Sequence, residues 1–150
     1  MIEQLREFYH KYDEGQGGGL NDDELDKYHQ NLIDKDRLVT YSIGDALIGY
    51  IESWRVSYEQ LGRILLGEKF NLTKENINNG SIAYVANITI LPDYRKREVL
   101  KIMKSEFFRR NYMCDYFVGE AHHNKRVNAF KVYNKQDFYD KYLKGVQDVI

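Results

Sequence analysis

The part of this sequence best suited to chemistry is a helix that begins directly after a β-prone run. Ile82–Leu91 is rich in β-branched residues and ends at Pro92, the single proline of the chain. Lys96–Asn111 has helical spacing of its apolar residues, and Arg95–Arg97 places three basic residues at its start. The N-terminus of a helix presents unpaired N–H groups and a positive dipole end, which bind phosphate. We therefore predict an anion-binding turn at Arg95–Leu100.

The charged residues are segregated along the chain. From Tyr94 to Asn111 there are seven basic and two acidic residues, whereas Asp13 to Asp36 holds eight acidic residues and two lysines. A positive segment of this kind suits an anionic cofactor, and a negative one suits a cationic substrate. The overall charge of −1 gives no bulk attraction for nucleic acid. No interleaving of aromatic and basic residues marks a nucleic-acid platform, so we expect no nucleic-acid partner.

Length and composition are those of one soluble domain. The chain has 150 residues, of which 43% are hydrophobic and 30% charged, and its single cysteine, Cys114, excludes an intrachain disulfide. No stretch approaches the roughly 20 apolar residues of a membrane span. The first residues lack a basic region followed by an apolar run, so no signal peptide is predicted. We expect a single cytoplasmic domain over residues 1–150 that has no membrane partner, with Cys114 in its core.

Hydrophobic periodicity and turn residues predict helices and strands in alternation. Helices are predicted at residues 2–12, from Asn21 or Asp22 onward, at Tyr58–Leu66, at Lys96–Asn111 and at Asn124–Lys135. Strands are predicted at Leu38–Ile43, Ala46–Val56, Ile82–Leu91, Cys114–Ala121 and Asp137–Tyr142, with a polar loop at Gly67–Gly80. The strand–helix–strand order of the second half requires a parallel pair. We therefore predict an α/β (α+β) fold with a mixed central sheet flanked by helices on both faces.

Motifs along the chain resemble those of the GCN5-related N-acetyltransferase (GNAT) superfamily. Leu47–Tyr50 is similar to the family's (I/V)-V-G-Y strand, and Ile88–Arg95 to its V-x-P-(E/D)-(Y/F)-R strand end. The resemblance extends from about Leu38 to Phe138 and implies a GNAT-like arrangement of the mixed sheet. The family's later pattern, N-x-x-A-x-x-x-Y-x-K-x-G-F, is matched by Ala129, Tyr133, Lys135 and Phe138, with Asn124 or Asn128 as its asparagine.

The resemblance implies acetyl-coenzyme A (acetyl-CoA) as co-substrate. In the family, the strand ending at the proline pairs its backbone with pantetheine, and a bulge directs an N–H toward the thioester carbonyl. Here that bulge is expected near Asn87–Ile90, and the pyrophosphate is expected on the turn that opens the following helix. The implied cofactor-binding residues are Ile88, Thr89, Ile90, Arg95, Lys96, Arg97, Glu98, Val99, Leu100 and Asn128.

The resemblance also implies transfer of an acetyl group to a primary amine by direct attack in a ternary complex. The acceptor is a small-molecule or peptide amine, and a homodimer is common in the family. The counterpart of Tyr133 protonates the departing thiolate, since the pKa of tyrosine lies near that of a thiol. The general base is open: Glu52 and Glu120 are candidates, and His122 and His123 lie near the same strand end.

Two other functions are compatible with the sequence. Glu98 and Leu100 stand where the family has glycines, which favours a non-catalytic protein of the same fold that binds a protein partner instead of a cofactor. Asp13–Glu24 partly fits a twelve-residue calcium loop, but glycines at its third and fifth positions remove two oxygen ligands. The neighbouring His122 and His123 lack a spaced third ligand, so no metal site is predicted.

Overall fold

In the described part of the chain, five strands form one mixed sheet in the order β1-β2-β3-β4-β5. The computed structural model describes residues 1–13, 20–68, 79–123 and 126–144, without the side chains of residues 13, 97, 120–123 and 126–129. The strands are β1 (Leu38–Ile43), β2 (Ala46–Val56), β3 (Ile82–Ile90), β4 (Tyr116–His123) and β5 (Arg126–Asn134). The α-helices are α1 (Ile2–Phe8), α2 (Asp22–Asp34), α3 (Tyr58–Leu65), α4 (Arg97–Arg110) and α5 (Lys135–Phe138). Short helical turns of other types occupy Tyr9–Asp13, Pro92–Tyr94 and Tyr139–Leu143.

The first half of the chain confirms the predicted elements. β1 and β2 have the predicted bounds and form an antiparallel hairpin, whose turn uses Gly44 at a φ of +58°. α2 begins after Asn21, whose side chain accepts a hydrogen bond from the Glu24 N–H at 2.9 Å. The Glu24 carboxylate accepts in turn from the Asn21 N–H, which completes a capping box. The predicted loop Gly67–Gly80 falls mostly on residues 69–78, outside the described part of the chain.

Alternate residues of the strands pack against helices on opposite faces of the sheet. Tyr50 of β2 packs with residues of α1 and α2, whereas its neighbour Ile51 packs with residues of α4. The same alternation places Tyr84 and Val118 in a cluster with Ile64 of α3. The mixed sheet and its helices confirm the prediction at the level of fold class. None of the helices in the described ranges has the length and apolar character needed to cross a membrane.

The predicted parallel pair is also confirmed. β3 and β4 pair in parallel, from Ile82 opposite Tyr116 to Val85 opposite Gly119. α4 connects them and buries Val99, Met103 and Phe107 against the sheet. Cys114 precedes β4 and is 1% exposed, so its predicted place in the core is confirmed.

The predictions for the last part of the chain were wrong. The predicted helix at Asn124–Lys135 is instead the strand β5, antiparallel to β4, and the predicted strand at Asp137–Tyr142 is helical. β5 follows β4 after residues 124–125 alone, a connection short enough to favour a hairpin. Asn134 then caps α5, because its side chain accepts a hydrogen bond from the Asp137 N–H at 2.8 Å.

Glu106 joins charged side chains at the end of α4. The Nε groups of Arg109 and Arg110 donate to its carboxylate at 2.9 and 2.8 Å. Arg110 also donates to the Leu38 carbonyl at 2.9 Å, which connects α4 to β1. The hydrogen bond from Arg109, followed by that from Arg110, lowers the pKa of Glu106 from 4.5 to about 2.

We expect the stability provided by Glu106 to disappear in acid. Because its pKa is lower in the folded chain, this stability is fully present above pH 4.5 and is lost as the pH falls toward 2. Glu106→Gln should therefore unfold at lower urea concentration than the wild type at neutral pH, and the two midpoints should converge toward pH 2. A difference that is the same at every pH would contradict this assignment.

Candidate functional site

The pairing between β3 and β4 ends before either strand does, at their carboxyl ends. The ladder between the two strands stops at Val85 and Gly119, although β3 continues to Ile90 and β4 to His123. We call the space between residues 86–90 and residues 120–123 the β3–β4 cleft. Ligands of open sheets with parallel strands bind in crevices at the carboxyl ends of those strands. The cleft is therefore the first candidate for a binding site.

Two residues of β3 present their backbone to this cleft. The Leu91 N–H donates to the Ile48 carbonyl of β2 at 2.9 Å. Because backbone groups of successive strand residues point in opposite directions, those of Ile90 and Ile88 point away from β2 and toward the cleft. Thr89 faces β2, where it pairs with Tyr50. Ile88, Thr89 and Ile90 were predicted to bind pantetheine through their backbone. The backbone groups of Ile88 and Ile90 point toward the cleft, whereas those of Thr89 point toward β2.

A β-bulge lies beside the cleft, one residue before the predicted stretch Asn87–Ile90. Glu52 of β2 is opposite Asn87, and Ser53 is opposite Val85, so Ala86 is the extra residue. Bulges of this kind redirect the backbone and are common next to active sites.

The start of α4 faces the same end of the sheet. Its N-cap, Lys96, makes no side-chain capping hydrogen bond, and Arg95 donates from Nε to the Ile90 carbonyl at 2.9 Å. Val99 is buried, and Leu100 packs against the core on the α4 side. Leu100 stands where the family has a glycine, and its side chain packs against the core and not into the turn. Glu98 is exposed in the first turn and places a carboxylate at the positive end of the helix.

A chain of buried polar side chains leads to Glu52 on the opposite face of the sheet from α4. Trp54 Nε1–H donates to the Tyr28 hydroxyl at 2.8 Å, and the Tyr28 hydroxyl donates to Glu52 Oε2 at 3.0 Å. His29 Nε2 lies 3.7 Å from Glu52 Oε1. Glu52 is 8% exposed and lies opposite Asn87, beside the bulge. Of the residues predicted as general bases, Glu52 is the one whose side chain the structure describes, and it lies beside the cleft.

The electrostatics of this chain keep Tyr28 neutral beside Glu52. Burial, followed by the charge of Glu52, raises the pKa of Tyr28 well above its ordinary value. Tyr28 therefore stays protonated and can donate to Glu52 at any physiological pH. Neither ring nitrogen of His29, which is fully buried, has a hydrogen-bond partner among the described residues. A carboxylate that a neutral donor holds in one position can accept a proton from a substrate.

Tyr133 is not placed with Glu52. It lies on β5 opposite Phe117, within the paired part of β4, and packs against the core on the α4 face. Its hydroxyl lies 3.4 Å from that of Tyr142. Tyr133 therefore lies on a strand and not on the helix that the motif implied.

Other predicted residues fall outside the described side chains. The side chains of Arg97, Glu120, His122, His123 and Asn128 are among them, so only their places on α4, β4 and β5 are known. Residues 14–19 of the partial calcium loop are also outside the description. Within the described residues, no three metal-ligating side chains come together.

The acidic run contributes to the structure of the first two helices. The carboxylate of Asp22 is hydrogen-bonded to Nε2 of His10 at 2.7 Å, and Asp26 forms an ion pair with Arg6. Glu24 takes part in the capping box. These carboxylates therefore have partners within the chain, and a cationic substrate would compete with those partners.

Sequence reasoning missed Tyr28, His29 and Trp54 as site residues. Tyr28 and His29 lie on the inner face of α2 among buried leucines, a position that favours packing over chemistry. The available signal was a histidine and a tyrosine facing a strand that carries an inward glutamate.

The sequence matches no protein-family model, and a comparison with curated proteins finds no significant match.

Proposed function

We propose that this chain is an N-acetyltransferase that transfers an acetyl group from acetyl-CoA to a primary amine. The observation that carries the proposal is the β3–β4 cleft, which has a bulge at Ala86 and the buried Glu52 beside it. A strand edge, a bulge and a helix N-terminus at one end of a sheet are the parts that the sequence resemblance to the GNAT superfamily requires. The acceptor is a small-molecule or peptide amine.

In this proposal, β3 and α4 bind the acyl donor. The N–H and carbonyl of Ile88 and the N–H of Ile90 pair with the amides of the pantetheine arm, as an added strand would, while the Ile90 carbonyl accepts from Arg95. The free N–H groups of the first turn of α4, with Lys96 beside them, hold phosphate oxygens. The acetyl group then lies near Ala86, where the redirected backbone of the bulge can donate to the carbonyl oxygen.

Glu52 supplies the general base. The amine nitrogen attacks the thioester carbonyl carbon, the proton of the amine passes to the Glu52 carboxylate, directly or through one water, and the carbon–sulfur bond breaks. The thiolate leaves with the bonding electron pair, which is favourable because the pKa of a thiol is about 8.5. The Tyr28 hydroxyl donates to the carboxylate at 3.0 Å, and Trp54 donates in turn to the Tyr28 hydroxyl at 2.8 Å, which holds Tyr28 in place. No step requires Tyr133.

Turnover experiments test the proposal directly. Free thiol is followed while acetyl-CoA is incubated with the protein and a panel of primary amines. Direct attack in a ternary complex predicts that thiol appears only when a suitable amine is present. Thiol released in one equivalent without an amine would indicate a covalent acyl-enzyme and would overturn the mechanism.

The exposed carboxylate of Glu98 favours a second candidate function. A negative charge in the first turn of α4 repels a phosphate from the N–H groups that would bind it. A protein of the same fold that binds a protein partner and no cofactor would have no use for that phosphate site. This alternative predicts no interaction with acetyl-CoA and no thiol release with any amine.

The transferase proposal makes an opposite prediction for Glu98. Replacing it with glutamine should tighten the binding of acetyl-CoA about two- to fivefold, because a charge at a helix terminus contributes about 0.3–1 kcal/mol. The measurement is the dissociation constant at low ionic strength. Glu59→Gln, which removes an exposed carboxylate from the first turn of α3, is the matched control and should have no effect. Equal affinities for the wild type and Glu98→Gln would place the phosphate away from this turn.

A further inference from the structure

A second group of polar side chains lies on the α4 face of the sheet. Lys104 comes from α4, Lys131 and Tyr133 from β5, and Tyr142 from the helical turn Tyr139–Leu143. We call these four residues the basic pocket. Lys131 lies opposite Gly119, the last residue of β4 that pairs with β3. A Cβ atom at Gly119 would meet no atom within 4 Å, so the space above this residue is open.

Among the described residues, the tyrosines of the basic pocket leave one hydrogen-bond donor without an acceptor. The Tyr142 hydroxyl donates to the Tyr133 oxygen at 3.4 Å, and the two rings meet edge to face at 5.5 Å between centroids. The proton of the Tyr133 hydroxyl is then available for another acceptor. Burial, followed by the bond to Tyr133, raises the pKa of Tyr142 to about 12, so this hydroxyl keeps its proton.

The lysines of the basic pocket place two like charges near each other. The Lys104 ammonium lies 3.7 Å from the centroid of the Tyr142 ring. Burial, followed by the charge of Lys131, lowers the pKa of Lys104 to about 8. The ion pairs formed by the described residues include neither lysine. The two cations lie near each other, and no carboxylate among the described residues pairs with either of them. A bound anion would therefore stabilise both charges.

We propose that the basic pocket binds a phosphate group of a small-molecule ligand, held by the ammonium groups of Lys104 and Lys131 and the hydroxyl of Tyr133. Three donors from two elements suit a tetrahedral anion that offers several acceptor oxygens. Gly119 leaves room for such a group next to the sheet. The inference stands apart from the transferase proposal, because its chemistry is the same for any ligand that carries a phosphate.

Competitive labelling of lysines tests the basic pocket without any assay of activity. The protein is treated with a trace of acetic anhydride, with and without inorganic pyrophosphate at constant ionic strength, and each lysine is quantified by mass spectrometry. At ten times the dissociation constant, labelling of Lys104 should fall about tenfold by mass action. Lys27, exposed on α2, is the internal reference and should be labelled equally in both samples.

The pH dependence of the same labelling gives a second measurement. A bound anion favours the charged amine, so pyrophosphate should move the pKa of Lys104 from about 8 back toward 10.5. Lys131→Gln should weaken protection of Lys104 while leaving the circular dichroism spectrum unchanged. Replacing pyrophosphate with acetate distinguishes a phosphate site from a general anion site, and equal protection by acetate would contradict the phosphate assignment. Labelling of Lys104 that does not change over the whole pyrophosphate titration would overturn the proposal.

Discussion

Replacing Glu52 with glutamine should lower kcat for acetyl transfer about 10²- to 10⁴-fold, the usual contribution of a general base. Glutamine keeps an oxygen that can accept the hydrogen bond from Tyr28, so the buried chain to Trp54 can remain in place. The amide cannot take a proton from the amine. Affinity for acetyl-CoA and the melting temperature should therefore change little, because the loss belongs to the chemical step.

A matched variant separates this effect from a general loss of negative charge. Glu59→Gln makes the same chemical change at an exposed position on α3 and should keep the kcat of the wild type. Steady-state rates for both variants, with circular dichroism as a check on folding, complete the comparison. A kcat for Glu52→Gln within about threefold of the wild type would assign the base to another residue, since that change is far below the range for general-base catalysis.

Phe107→Ala should cost about 3–5 kcal/mol in the free energy of unfolding, the range for removing a large ring from a packed core. Phe107 is fully buried on α4, and its ring contacts those of Phe117 and Phe138 at 5.8 and 6.0 Å between centroids. These contacts join α4 to β4 and α5. A loss of this size is a large part of the roughly 5–15 kcal/mol that stabilises a domain.

Urea unfolding measures this loss, with Met113→Ala as the control. Met113 follows α4 and is 66% exposed, so its replacement should change the free energy of unfolding by less than about 0.5 kcal/mol. A cost below about 1 kcal/mol for Phe107→Ala would mean that the cluster around α4 is not the main core, because buried rings cost more than this.

The sequence predicts the fold well where local signals and the hydrophobic pattern agree. The hairpin β1–β2 has turn residues at Gly44 and Asp45 and apolar residues in both strands, and its predicted bounds are correct. Gly49, part of the first motif, is explained by close packing, since a Cβ there would lie 2.9 Å from the Thr89 carbonyl oxygen. α4 is likewise predicted by its inward residues, Val99, Met103 and Phe107.

The segment that follows β4 was mispredicted because its apolar residues also fit helical spacing. Val127, Phe130 and Val132 can be placed on a helix, and the family pattern N-x-x-A-x-x-x-Y favoured that choice. The segment is nevertheless rich in β-branched and aromatic residues, and β4 ends just before it. The capping signal Asn134-x-x-Asp137 marked the true start of the following helix.

The candidate site was only partly predictable for a related reason. Ile88, Ile90 and Glu52 were named from motifs and residue type, and the structure places all three beside the cleft or its bulge. The direction of a backbone group depends on the strand register, which the sequence does not contain, so Thr89 was included wrongly. The partners of Glu52 come from α2, more than 20 residues away in sequence, and only the packing of α2 on β2 brings them together.

Titration calorimetry with acetyl-CoA, with CoA as the comparison, tests the central claim most directly. If β3 and the start of α4 bind the acyl donor, both ligands should bind saturably to one site in the micromolar range, despite the charge of Glu98. Binding at a stoichiometry of one, weakened by added salt, would support the assignment of phosphate to the basic side chains. The absence of any heat of binding at millimolar acetyl-CoA and at several temperatures would contradict the transferase account and would favour a protein partner instead.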